Sequence, residues 1–210
     1  MTSKFPLDEA PRRGLRWLYL FRVALAVVWV VSVSALASPA PPHAPRSAIV
    51  AVVLAVYPAL DGLATLADLR VAPGPAWQRF LWCNLMAGFV AAASILWLAG
   101  NLSLEIRAFG LWAVASGGIQ LALGAIRQRS LKGQWLMIIS GGGSVVAGIT
   151  FAGLAGSATP GLPALVQYSL GGAVWYVLTA GWLFLPRSRP RRAPYASAGP
   201  DWPTGYTGQP

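Results

Sequence analysis

The chain has 210 residues, of which 56% are hydrophobic and only 10% are charged. Because soluble domains carry about 25% charged residues, this composition excludes an ordinary soluble protein. The formal net charge of +10 lies mostly at the ends of apolar runs, which favours contact with anionic lipid headgroups over nucleic acid. One cysteine and one histidine exclude an intramolecular disulfide and argue against a multi-ligand metal site.

Six apolar segments follow one another along the chain, each long enough to cross a bilayer, which takes about 20 apolar residues. They predict an all-α fold, a polytopic membrane bundle of six transmembrane helices in one domain, residues 15–185. A polar N-terminal segment (1–14) precedes this domain, and a basic tail rich in Pro and Gly (186–210) follows it and is predicted to be disordered. The predicted spans are 15–37, 47–68, 79–99, 107–126, 134–153 and 164–185.

The basic residues predict the orientation of these spans. All of the 16 Lys and Arg residues except Arg22, Arg46 and Arg107 fall on the side of both termini, and basic residues favour the cytoplasmic side. We therefore expect both termini in the cytoplasm. The N-terminal region also resembles a cleaved export signal that ends at Ala-Leu-Ala, 35–37. A retained span is favoured because an odd number of spans would break the alternation of charge.

An internal period links the even-numbered spans. The aromatic residues Tyr57, Trp112 and Tyr168 hold equivalent positions, 55 and 56 residues apart. A constant period indicates one structural unit used several times. The sequence therefore predicts three two-helix repeats.

Small residues at helical spacing predict close helix–helix packing, since small-xxx-small patterns let backbones approach each other in a membrane. The glycine-rich run 140–144 could also suggest a phosphate loop, but no Lys-Ser/Thr follows it and it lies inside an apolar span. The predicted packing residues are Gly88, Gly117, Ser140, Ser144, Gly148 and Gly172.

Two charged residues lie well inside apolar spans, Arg22 in span 1 and Asp61 in span 2. At 1.5 Å per residue both lie roughly 10–13 Å deep, so antiparallel neighbours would bring them to one level, and we predict an ion pair. Three interpretations are open. The pair fixes the helix register, or Arg22 snorkels to the surface beside a wet Asp61, or Asp61 handles protons or ions.

The even-numbered spans also carry semi-polar stripes at i+4 spacing. Such stripes avoid lipid, so they face one another or a cavity. Two interpretations are open, polar contacts between helices or a central solute pathway. The stripe residues are Tyr57, Thr65, Trp112, Ser116, Gln120, Tyr168 and Tyr176.

Three stretches carry a resemblance to a known family: GLWAVASGGIQLALGAIRQR (110–129), GQWLMIISGGGSVVAGITFA (133–152) and YPALDG (57–62). Through them the chain resembles the HdeD-like family of bacterial membrane proteins, over roughly residues 12–185. The resemblance implies a six-helix inner-membrane protein built of two-helix repeats, with a link to acid resistance and no catalytic residues. The long basic tail departs from the family pattern.

Together these features predict a non-enzymatic membrane protein related to stress or acid tolerance, without cofactor or metal. Its expected partners are the bilayer with its anionic headgroups and, through the small-residue faces, a second copy of the chain, but not nucleic acid. The alternative is a small-solute or proton transporter or channel lined by the even-numbered helices. An enzyme ranks third because the sequence shows no nucleophile–base or metal cluster. The two main hypotheses differ in whether Asp61 and Gln120 line a hydrated cavity.

Overall fold

The apolar segments form helices, because a chain inside a bilayer must satisfy its backbone hydrogen bonds within each segment. The computed structural model describes residues 9–37, 46–71, 75–131, 134–154 and 161–184. In these ranges the chain is α-helical without strands, which confirms the predicted class. The predicted tail 186–210 and residues 1–8 lie outside the described residues. The helices are α1 (Glu9–Ala37), α2 (Arg46–Val71), α3 (Pro75–Trp97), α4 (Leu102–Leu131), α5 (Trp135–Leu154) and α6 (Leu162–Phe184).

Five helices, α1 to α5, are long and apolar enough to cross a membrane by length and composition. The sixth, α6, has 23 residues and no charge, but a run of three polar residues, 167–169, lowers its hydropathy and it falls outside that set. Large apolar side chains cover the outside of the bundle, among them Val28, Val90, Leu111 and Val146, each more than half exposed. A soluble monomer rarely exposes such large apolar patches, so the chain is a multi-pass membrane protein.

The six helices close into a ring. Each helix packs against the next in sequence, α1 packs against α6, and α2 also contacts α4. The most extensive interfaces join α4 to α5, α2 to α3, and α1 to α6. The α4/α5 and α2/α3 pairs are hairpins of the kind that the 55–56-residue period predicts. The third pair combines the first and last described helices, so it is not a third hairpin.

The connection between α3 and α4 shows how the sequence ends one helix and begins the next. Gly100 has a φ of +100°, which glycine adopts without steric cost just after a helix. Asn101 then caps α4, because its Oδ1 accepts a hydrogen bond from the Leu104 N–H at 3.2 Å. Glu105 Oε1 accepts a hydrogen bond from the Gly100 N–H at 2.9 Å. One short turn therefore fixes α3 and α4 as an antiparallel pair.

Glycines set the distance between paired helices. A Cβ atom at Gly88 would lie 2.5 Å from the carbonyl oxygen of Pro58, and one at Gly117 would lie 2.7 Å from that of Gly141. A Cβ atom at Gly148 would meet the backbone of α4 at 2.6 Å. Such distances are shorter than side-chain carbons tolerate, so these positions require glycine. The α2/α3 and α4/α5 pairs are therefore built on the same kind of backbone contact.

Two predicted serines lie at the α4/α5 interface, whereas one predicted glycine lies elsewhere, on α6. Ser140 is buried, and the Cβ of Ser144 would lie 2.8 Å from a Cβ placed on Gly117. Gly172 makes a looser contact, because a Cβ there would lie 3.9 Å from the Tyr57 hydroxyl of α2, an ordinary van der Waals distance.

The ring interior has two layers. One layer is apolar and aromatic, and it lies on the side where α1 ends and α2 begins, which we call the far side. The other layer contains the interior charges, and it lies on the side where α1 begins and α2 ends, which we call the N-terminal side. The aromatic layer is a set of rings with neighbouring centroids 4.6–6.1 Å apart: Trp29, Tyr57, Phe109, Trp112, Phe151 and Tyr168.

Candidate functional site

The predicted ion pair between span 1 and span 2 is present. Arg22 Nη1 donates a hydrogen bond to Asp61 Oδ1, and each side chain is only 13% exposed. The same nitrogen donates to the hydroxyl of Tyr176 on α6 at 3.0 Å. Because its guanidinium group is held by α2 and α6, Arg22 points into the bundle rather than to the membrane surface. The pair therefore joins three helices at one level.

The second carboxylate oxygen of Asp61 is bound from α3. Asn84 Nδ2 donates to Asp61 Oδ2 at 3.0 Å and to Thr65 Oγ1 at 2.9 Å. Thr65 Oγ1 in turn donates to the backbone carbonyl of Asp61 at 2.9 Å, and Ser116 Oγ makes a longer contact of 3.5 Å with Oδ2. Asn84 was not among the predicted site residues. A lone amide inside an otherwise apolar span was the signal that could have found it.

A second interior ion pair lies closer to the N-terminal side. Arg127 donates from Nη1 and Nη2 to the two carboxylate oxygens of Asp68, at 3.0 and 2.9 Å. The side chains are 0% and 7% exposed, respectively, and the Arg127 guanidinium lies 5.3 Å from the centre of the Trp77 ring. Such a two-pronged contact between arginine and carboxylate is among the stronger polar contacts in proteins.

The predicted fourth span ends at residue 126 and would leave Arg127 just outside it, but the helix is longer. Helix α4 continues to Leu131, so Arg127 lies within its last turns, on the face that meets α2. Asp68 gave the missing signal, because it lies seven residues after Asp61 and therefore on the same face of α2. Because α4 is about one turn longer than predicted, Arg127 is buried and pairs with Asp68 instead of being exposed.

A small cavity lies between the two ion pairs. Its volume is about 30 Å³, and a water needs about 10–15 Å³ measured in this way, so the cavity has room for one or two waters. Asn84 Oδ1 is buried there and has no hydrogen-bond partner among the described residues. Four of the predicted stripe residues line the cavity together with the two aspartates: Thr65, Ser116, Gln120 and Tyr176.

The other three stripe residues do not line this cavity. Tyr57, Trp112 and Tyr168 belong to the aromatic layer, where the Tyr57 and Trp112 rings are 5.7 Å apart and nearly perpendicular. Tyr57 also borders a second cavity of about 20 Å³ beside Arg22 and Asp61. The aromatic layer thus lies between the polar cavity and the far side of the bundle. Large rings packed edge to face leave little space for a solute.

The chemistry that this arrangement can support is limited by its charge balance. The site holds two aspartates and two arginines, and each carboxylate is bound by a guanidinium group. Such pairs are hard to break, because removing one partner leaves an uncompensated buried charge. In the part of the chain that the structure describes, no group of three or more His, Cys, Asp or Glu could hold a metal ion.

Comparison of the chain with protein-family models, with curated proteins and with solved structures finds no match. We call Arg22, Asp61, Asp68, Asn84 and Arg127 the interior charge cluster.

Proposed function

We propose that this chain is a non-enzymatic protein of the bacterial cytoplasmic membrane, of the HdeD-like kind, that contributes to stress or acid tolerance. The six-helix bundle, and the glycine contacts that the α2/α3 and α4/α5 hairpins share, support this proposal. We propose further that both termini face the cytoplasm, since the basic residues of the sequence gather on that side.

One observation carries the proposal. The polar groups of the interior bind one another, with Arg22 on Asp61 and Arg127 on Asp68, and the space left between them is only water-sized. An interior of this kind holds helices in register, and it offers no room to a substrate that an enzyme or a solute carrier would take. The contribution of the protein to acid tolerance then depends on the folded bundle being present in the membrane.

The experiment is an acid challenge of bacterial cells that express the full chain. Cells with the wild-type chain should survive better than cells with an empty vector. The variant Arg127→Gln, which breaks an interior pair, should lose the advantage, whereas Arg70→Gln, at an exposed position on the N-terminal side, should retain it. Equal survival with and without the wild-type chain at matched expression would contradict a role in acid tolerance.

A specific observation favours the second candidate, a proton transporter or channel. Asp61 and Gln120 line a cavity rather than dry packing, and an acceptor oxygen of Asn84 there has no partner in the described part of the chain. Ordered water in such a site would connect the two aspartates. Access of water to the cavity would then distinguish this candidate from the first.

Cysteine labelling tests that access. In a Cys83→Ser background, Gln120→Cys would react with a small charged thiol reagent only if the cavity opens to water. Arg70→Cys, at an exposed position on the N-terminal side, is the positive control, and Val146→Cys, on the lipid-facing surface, is the negative control. A closed structural cluster predicts that Gln120→Cys behaves like Val146→Cys. Labelling at the rate of Arg70→Cys would favour the proton pathway.

A further inference from the structure

A long groove runs along the outside of the bundle between α3 and α4. It has a volume of about 430 Å³, which is within the roughly 300–1,000 Å³ of small-molecule sites. The groove exists because alanines line both of its walls, Ala87 and Ala91 on α3 and Ala108 and Ala115 on α4. The α3/α4 interface is also less extensive than the two hairpin interfaces beside it. Its position on the lipid-facing surface makes the groove open to the membrane.

The length of the groove matches one leaflet of the bilayer. On one side its lining extends from Leu98, just after α3 at the far side, to Ala87, and on α4 it extends from Leu104 to Ala115. Each stretch covers about 16 Å at 1.5 Å per residue. Half of a hydrocarbon core of about 30 Å is about 15 Å. The groove therefore begins at the far-side membrane interface and ends close to the middle of the bilayer.

Two nitrogen-bearing side chains line the groove at different depths. Arg107 is exposed, and it lies in the second turn of α4. Trp112 is 5% exposed, and its Nε1 has no hydrogen-bond partner among the described residues. A spacing of five residues places Trp112 about 7 Å deeper than Arg107, in the inner half of the groove. The groove thus offers a cation near the interface and, between α3 and α4, apolar walls that extend to the middle of the bilayer.

We infer that this groove is a phospholipid site, with one acyl chain between α3 and α4 and the phosphate on Arg107. A guanidinium group binds phosphate well because its N–H groups match the phosphate oxygens. Charge complementarity and the leaflet length both select a phospholipid over a free acyl chain or a soluble ligand. The inference does not depend on the proposed role in acid tolerance.

Photocrosslinking tests the site in the full chain, reconstituted into liposomes that contain a phospholipid with a diazirine on its acyl chain. In the wild type, adducts mapped by mass spectrometry should be concentrated on the groove walls between 87–98 and 104–115. The variant Ala115→Phe, which fills the inner end, should lose most of these adducts. Its matched control is Ala93→Phe, at an exposed alanine of α3 outside the groove, which should leave them unchanged.

The headgroup contact has a separate readout. Native mass spectrometry of the detergent-solubilised chain should show a retained phospholipid, and Arg107→Gln should weaken its retention about tenfold, as expected for the loss of a charged hydrogen bond. Wild-type adducts spread evenly over all lipid-facing helices would overturn the inference. Crosslinks between two copies across the groove would also overturn it, because they would assign the groove to a dimer interface.

Discussion

Asp61 is bound from three helices at once, by Arg22 of α1, Asn84 of α3 and, at a longer distance, Ser116 of α4. The guanidinium of Arg22 also contacts Tyr176 of α6. A side chain held in this way defines how the helices sit against each other. Breaking a buried pair by removing one partner costs about 3–5 kcal/mol, because the other charge stays buried without compensation.

The first prediction concerns this pair. Asp61→Asn should lower the free energy of unfolding in lipid–detergent micelles by about 3–5 kcal/mol, because Arg22 loses its counter-charge. The double variant Arg22→Gln with Asp61→Asn should be more stable than Asp61→Asn alone, since no charge then remains buried. Equal unfolding free energies for the wild type and Asp61→Asn would show that the pair does not hold the bundle together.

The second prediction compares two arginines on the N-terminal side. Arg127→Gln should lower the thermal unfolding midpoint clearly, since Arg127 is fully buried and binds both oxygens of Asp68. Arg70→Gln, at an exposed position near the end of α2, should leave the midpoint nearly unchanged. If the two variants melted at the same temperature, the buried position of Arg127 would be wrong.

At the scale of the helix, adjacent glycines differ completely in their surroundings. A Cβ atom at Gly117 would collide with the backbone of α5, whereas a Cβ atom at Gly118 would have no atom within 4 Å. The same contrast separates Gly141 from Gly142 on α5. Spacing in the sequence predicts that this region packs closely. Spacing alone does not show which of two neighbouring glycines faces the partner helix, because that depends on how each helix is rotated in the bundle.

The third prediction follows from that contrast. Gly117→Ala should destabilise the α4/α5 hairpin by about 1–3 kcal/mol, the usual cost of overpacking. Gly118→Ala should be neutral or stabilising, since alanine favours a helix over glycine by about 1 kcal/mol. Denaturation of both variants in micelles, followed by circular dichroism, provides the measurement. A Gly118→Ala variant that is less stable than Gly117→Ala would reverse the assigned faces.

For the whole molecule, the sequence predicts the class, the number of helices, and the hairpins α2/α3 and α4/α5. Hydropathy defines the spans, and the 55–56-residue period identifies equivalent positions in α2, α4 and α6. The sequence does not show that Arg127 points into the bundle, because a basic residue near the connection between two helices is normally exposed. It also does not separate the stripe into a polar cavity and an aromatic layer, which depends on side-chain size at each level of the ring.

The ring as a whole therefore contains a charge-balanced polar layer, with a water-sized cavity, and an aromatic layer between that cavity and the far side. If this interior is structural, protons should not cross the bundle at a useful rate. The aromatic rings interrupt any chain of water, and both carboxylates are engaged by arginines.

The most direct test is proton flux driven by a pH gradient in proteoliposomes that contain the full wild-type chain, followed with an internal pH-sensitive dye. The structural role of the interior charge cluster predicts a rate equal to that of protein-free liposomes. A faster rate in the wild type, which Asp61→Asn abolishes while the variant remains folded, would contradict that role and assign Asp61 to a proton pathway.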